Sequence, residues 1–315
     1  MPLLQINAPV TGAQDTPIDL GAAAAPLAAG RGPIVIMVHG YRFAPGRGED
    51  CPHRHILSLA PSVRDPRAVS WPRGLGLAPG QPIRAIAFGW QGMGPVRRAW
   101  DNAAGAGQVL AKLVEALHSI APHRPVQAMG HSMGARVILS ALETTRGPGL
   151  ARAVLMNPAA YQSQARRALA AMQGRETEVI SVTSGENDLF DLLLETLVPA
   201  PCRDDRSLGA GLPGQQRFVT LRLDDPRALA ALARLGHDIA RPMARICHWS
   251  PYLRPGVFDL YRALLWSADR LPLDLLRRSL PQDQPPRWSW LRQGMPKLPM
   301  ARRSAPAPDT GGMPA

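Results

Sequence analysis

Residues 34–38, Ile-Val-Ile-Met-Val, carry no polar side chain at either parity, and a strand of that kind is stable only where both of its faces are covered. Similar short apolar runs recur at 83–88, 126–129, 153–156, 178–183 and 217–223. Stretches of helical period lie between several of them. Over 107–120, Val109, Leu110, Leu113, Val114 and Leu117 fall three and four apart on one face, which predicts a helix there, and a second is predicted over 133–142. Strand and helix in alternation predict an α/β fold, with a mostly parallel central sheet, right-handed crossovers and helices on both faces. With 315 residues and 45% apolar content the chain can bury such a sheet in one domain, placed here over residues 1–280.

Two segments break the pattern. Residues 41–82 leave directly from the carboxyl end of the first apolar run, are rich in Pro, Gly and Arg, and lack apolar periodicity. A connection that long inside a domain is usually functional, so a cap-like insert over a pocket is expected, with Trp71, Trp90 and Trp100 among its walls. Residues 281–315 are rich in Pro and Arg without any period and read as a disordered tail, in which only Trp288, Trp290 and Leu291 offer side chains to dock.

Charge and composition narrow the function classes. The net charge is +12, but Lys112 and Lys297 are the only lysines and the arginines are scattered along the chain, so no nucleic-acid partner is expected. No apolar run approaches the roughly 18 residues that span a bilayer, so no integral membrane segment is expected. The alanine run Ala22 to Ala25 follows Asp15 and Asp19 where a signal peptide would carry cations, which predicts a cytoplasmic protein. Cys51, Cys202 and Cys247 cannot all pair within one chain, and neither they nor His53 and His55 have metal-site spacing. No glycine cluster has a nucleotide-binding setting, so neither a metal nor a cofactor is expected. No residue pattern specifies an oligomeric state.

The segment that carries chemistry is Gly130-His131-Ser132-Met133-Gly134, because it lies between a predicted strand and a predicted helix. A serine held in a tight turn between small residues projects its hydroxyl from the carboxyl edge of a sheet, and the helix that starts there directs its first N–H groups toward developing negative charge. Upstream, the strand 34–38 runs into His39-Gly40-Tyr41-Arg42. With both motifs in place the chain resembles the α/β-hydrolase superfamily over about residues 30–265, although the insert at 41–82 follows no general pattern of that superfamily.

The resemblance implies a Ser-His-acid triad and two oxyanion-hole amides. By that likeness the amides belong to Tyr41 and Met133, and His39 is a structural residue and not a base. The superfamily order of nucleophile, acid and histidine makes Ser132 the nucleophile and places the acid in Ser184-Gly185-Glu186-Asn187-Asp188-Leu189-Phe190-Asp191, after the strand ending at 183. Asp188 is the expected acid, with Glu186 and Asp191 as alternatives. Two histidines follow, His237 and His248; His248 precedes a last amphipathic helix, where the superfamily keeps its base, and His237 reads as the C-terminal cation of a helix. The expectation is a serine hydrolase that cleaves a carboxylic ester of a small-molecule acyl substrate through an acyl-enzyme. A thioesterase or acyltransferase would use the same parts, and the alternative class is a non-catalytic protein of the same fold that binds an acidic partner.

Overall fold

The alternation of buried strands and amphipathic helices is realised as a seven-stranded, all-parallel sheet in the order β1-β3-β2-β4-β5-β6-β7. The computed structural model describes residues 2–9, 19–172 and 176–283. Its strands are β1 (Leu3–Asn7), β2 (Ile34–Val38), β3 (Ala85–Gly89), β4 (Val126–His131), β5 (Arg152–Met156), β6 (Glu178–Thr183) and β7 (Phe218–Arg222). Six of them fall on the predicted runs. The helices are α1 (Leu20–Ala24), α2 (Trp71–Gly74), α3 (Val96–Ile120), α4 (Met133–Thr144), α5 (Gln162–Ala171), α6 (Asp188–Leu197), α7 (Pro226–Arg234), α8 (Ser250–Leu253), α9 (Val257–Trp266) and α10 (Leu273–Ser279). Among the described residues no helix is long and apolar enough to cross a membrane.

Period-two alternation divides the strands between two cores. Ile34, Ile36 and Val38 of β2, with Ile86 and Phe88 of β3, face α1, α3, α4 and α5. Val35 and Met37, with Met129 of β4 and Val154 of β5, face α7, α9 and α10 on the other side. All five residues of β2 are fully buried, as a run without a polar parity requires. The two polar ends of β5 and β6 are matched by register: Arg152 stands opposite Glu178, and its Nε donates to the Glu178 carboxylate at 2.7 Å.

The insert departs from the expected cap. Side chains between Arg42 and Arg67, among them Phe43, Glu49, Arg64 and Asp65, do line the pocket described below, but Ile56 and Leu57 within that stretch and Trp71, Leu75 and Leu77 after it turn inward and belong to the second core. Trp71 is fully buried, tilted against Tyr252 at 5.3 Å between centroids, and Trp90 is equally buried, stacked on His39. Trp100 packs under the Arg136 guanidinium, 3.7 Å from the ring centroid. None of the three tryptophans lines the pocket. Most of the expected tail, residues 284–315 with Trp288, Trp290 and Leu291, lies outside the described residues.

Replacing Trp71 by Ala should therefore cost about 3–5 kcal/mol of stability, as a cavity in a close-packed core does. Denaturant unfolding of the variant reads this directly. A loss within the range of a surface change would contradict the buried position.

Candidate active site

The site is assembled where β4 ends. Ser132 has φ 56° and ψ −123°, a sparsely populated combination for a non-glycine residue, worth about 1–3 kcal/mol of strain. Neighbouring backbone holds it there. Ser132 N–H donates to Met156 O at 2.9 Å, and Ser132 O accepts from Ala135 N at 3.0 Å and from Ala159 N at 3.1 Å. Small residues permit the turn because other backbone presses on it. A Cβ at Gly134 would stand 2.5 Å from Val38 O and 2.6 Å from His39 O, and one at Gly40 would stand 2.8 Å from His131 O and 2.9 Å from Ser132 Cβ. The two glycine-bearing loops are thus in direct contact.

The His-Gly loop is oriented by His39. Its Nε2 accepts from Trp90 N–H at 3.0 Å, so the ring proton is on Nδ1, which donates to Gly40 O at 2.9 Å. Because the C=O and N–H of one peptide point in opposite directions, fixing Gly40 O on one side turns the Tyr41 N–H to the other. The Tyr41 and Met133 N–H groups have no acceptor among the described residues. The Tyr41 hydroxyl is anchored separately on Gly94 O at 2.7 Å. His39 is structural, as expected, and burial pushes it down to about 3.

Tyr41, Ser132, Met133 and His248 line one cavity of about 640 Å³. His248 lies on a loop without regular structure, and it is fastened by side chains from three other segments. Its carbonyl accepts from His131 Nε2 and from Asn157 Nδ2, both at 2.8 Å. Its Nδ1 bonds to Asn187 Oδ1 at 2.6 Å, and its ring stacks on Phe190 at 4.5 Å. An amide oxygen can only accept, so Nδ1 carries the proton and Nε2 is left as the basic nitrogen.

Asn187 was not among the residues singled out from the sequence. The expected acid, Asp188, is the next residue, buried at the first position of α6. Both alternatives serve elsewhere. Glu186 forms a buried ion pair with Arg254, while its carbonyl accepts from Cys247 N at 3.0 Å. Asp191 accepts from Ser207 Oγ at 2.6 Å. His237 sits after α7 with its N–H on Leu232 O, away from the cavity. Of the residues set aside as metal ligands, His53 bonds to Asn7 Oδ1 at 2.6 Å and Cys51 Sγ accepts from Gly46 N at 3.4 Å.

The electrostatics keep this cluster neutral. Burial pushes His131 down to about 4. His248 is held well below the ordinary imidazole value, first by burial and then by His131, whose ring lies 4.5 Å away. The sign for stability follows. A histidine that loses proton affinity on folding favours the native state above its unfolded value and costs stability as pH falls below it. Between pH 6.5 and about 4, His39 and His131 should each remove about 1.4 kcal/mol per pH unit. Equilibrium unfolding at pH 7 and at about pH 4.5 should show that loss, with His131→Gln falling less steeply than the wild type. Superimposable curves for the two chains would contradict this assignment.

No protein-family model and no curated protein matches the sequence. Among solved structures, the chain is similar to the crystal structure of the product of gene lin2722 from Listeria innocua. The likeness has a TM-score of 0.30 at 14% identity and covers 49% of this chain and 70% of that one.

Proposed function

We propose that this protein is a serine hydrolase of α/β-hydrolase type, acting on a carboxylic ester through an acyl-enzyme. The observation that carries the reading is the His248–Asn187 bond in the same cavity as the strained Ser132, because it reserves a basic Nε2 for a hydroxyl proton.

In the proposed reaction Ser132 Oγ attacks the ester carbonyl carbon while its proton passes to His248 Nε2. The carbonyl electron pair moves onto oxygen, where the Tyr41 and Met133 N–H groups stabilise it; two such donors contribute several kcal/mol to barrier lowering. Collapse of the tetrahedral intermediate breaks the bond to the alcohol, which takes the proton from His248. Water then repeats the sequence on the acyl-serine and releases the carboxylic acid.

Asn187 takes the orienting part of the acid's role in this reading. Asn187 holds the tautomer, and Asp188, the next residue, is buried at the start of α6 and fixes the backbone from which Asn187 reaches the ring. An amide that presents its oxygen holds the imidazole proton on Nδ1 but does not neutralise an imidazolium, so nothing from Asn187 offsets the burial that depresses the proton affinity of His248.

A fluorophosphonate probe should label the wild type and leave Ser132→Ala unlabelled yet folded. An equal extent of labelling in the variant would refute the nucleophile. Asn187→Ala should lower kcat by about 100-fold or more, in the range set by loss of a positioned general base. Asp188→Asn should cost less. The reverse ranking would return the orienting role to Asp188.

A further inference from the structure

The cavity has two chemically different walls. One comes from α6, where Phe190, Leu193, Leu194 and Leu197 fall at spacings of three and four on the cavity side. The other comes from the insert and carries Arg42, Glu49, Asp50, Arg64, Asp65 and Arg67. Ser132 opens between them.

The apolar wall is unusual for a surface helix. Leu193 and Leu197 are 42% and 44% exposed, and they are among the few large apolar side chains in the described residues with that much surface open. The wall is not a loose end. Arg97 Nε donates to Leu197 O at 3.1 Å, which ties the end of α6 to the start of α3, and Val96 extends the lining there. At the opposite end Phe190 stacks on His248. The stripe therefore runs from the base outward, with Met133 and Ala159 beside the serine. A cavity of about 640 Å³ lies within the common range for small-molecule sites, roughly 300–1,000 Å³.

From this division we infer that the site takes an amphipathic ester: an unbranched aliphatic acyl chain lies along Phe190, Leu193 and Leu197, and a polar leaving group faces the insert. The inference rests on the serine-hydrolase reading. The insert side holds Phe43 and Val63 as well, but an aliphatic chain there would displace water from the charged side chains beside them, whereas on α6 it covers a continuous apolar stripe that the fold already leaves open. The insert wall carries both signs of charge; Arg67 pairs with Asp65 at 2.6 Å, and its guanidinium lies over the Trp249 ring at 4.8 Å. That wall suits a hydrated polar group.

Two measurements, one with turnover and one without, test this. For p-nitrophenyl acetate and octanoate, the wild type should favour the octanoyl ester in kcat/KM by at least about tenfold, and Leu193→Asn with Leu197→Asn should reduce that ratio by about tenfold, the scale on which a pocket senses methylenes. Arg42→Ala and Arg64→Ala should leave the ratio in place. Calorimetric titration of decanoate into the Ser132→Ala chain reads the same wall without turnover, and the double asparagine change should weaken that binding by a similar factor. If turnover is present but the ratio and decanoate binding ignore α6, the acyl-chain assignment is wrong. It is equally wrong if the asparagine changes alter only the mass of the protein in light scattering, which would make α6 a face between two copies. If decanoate binds in an α6-dependent manner and no ester is cleaved, the chain site stands and the serine-hydrolase reading fails.

Discussion

The strained backbone of Ser132 is the constraint on which the rest of the site depends. A residue at φ 56° and ψ −123° relaxes unless its surroundings over-determine it. Here the restraint comes from the sheet itself. β5 supplies Met156 O to the Ser132 N–H, the chain after β5 supplies the Ala159 N–H to Ser132 O, and the carbonyls of Val38 and His39 close over Gly134 from the β2 side. Three parallel strands thus meet at one peptide, and any residue larger than glycine at 134 would push β2 away from the elbow. The same contacts that force the turn also bring the Gly40–Tyr41 peptide against Ser132, so the strain and the placement of the Tyr41 N–H have one origin.

The loop that carries His248 is fixed by a different principle. Its nearest contacts are neutral: two donors on its carbonyl, one amide acceptor on its ring and an aromatic face. The charges stand one layer back, where Arg254 pairs with Glu186 and also reaches Leu223 O. A buried ion pair is weak as a source of net stability but strong as a register device, because removing one partner leaves the other uncompensated. The pair ties the segment after β6 to the chain behind His248, and the neutral bonds then set the ring. Burial and the neighbouring His131 then hold the proton affinity of the His248 imidazole down.

The sheet was legible because strands buried on both faces advertise themselves as unbroken apolar runs. β1 is not marked in the sequence, because Leu3–Asn7 is a short edge strand in which Leu4 is half-buried, Gln5 is exposed and no unbroken apolar run forms. The predicted helix at 107–120 begins at Val96, since the first turns bury Ala99, Ala103 and Ala106, which register as small and not as apolar. That Ser132, Tyr41, Met133 and His248 share one cavity was legible because motif and chain order single them out. Asn187 was not, because a search for a carboxylate passes over an amide one residue away. Trp71 is ambiguous in the sequence for a related reason: a large aromatic in an irregular insert suits a lid as well as a core, and packing places it in the core.

The polarity of the cavity follows from strand order. In the sequence β2-β4-β5-β6, the serine rises from β4, with β2 on one side and β5 and β6 on the other. Whatever leaves the carboxyl end of β2 must form one wall, and whatever leaves β6 must form the opposite one. The β2 connection is the long arginine-rich insert, and the β6 connection is the leucine-rich α6 with the Asn187 station at its start. A single segment, residues 186–197, therefore carries the ion-pair anchor, the acceptor for the His248 ring and the apolar stripe in order. A shift of α6 along its axis would move all three together, so in the proposed reaction the acyl chain on the leucines and the proton leaving the serine would be referred to one element.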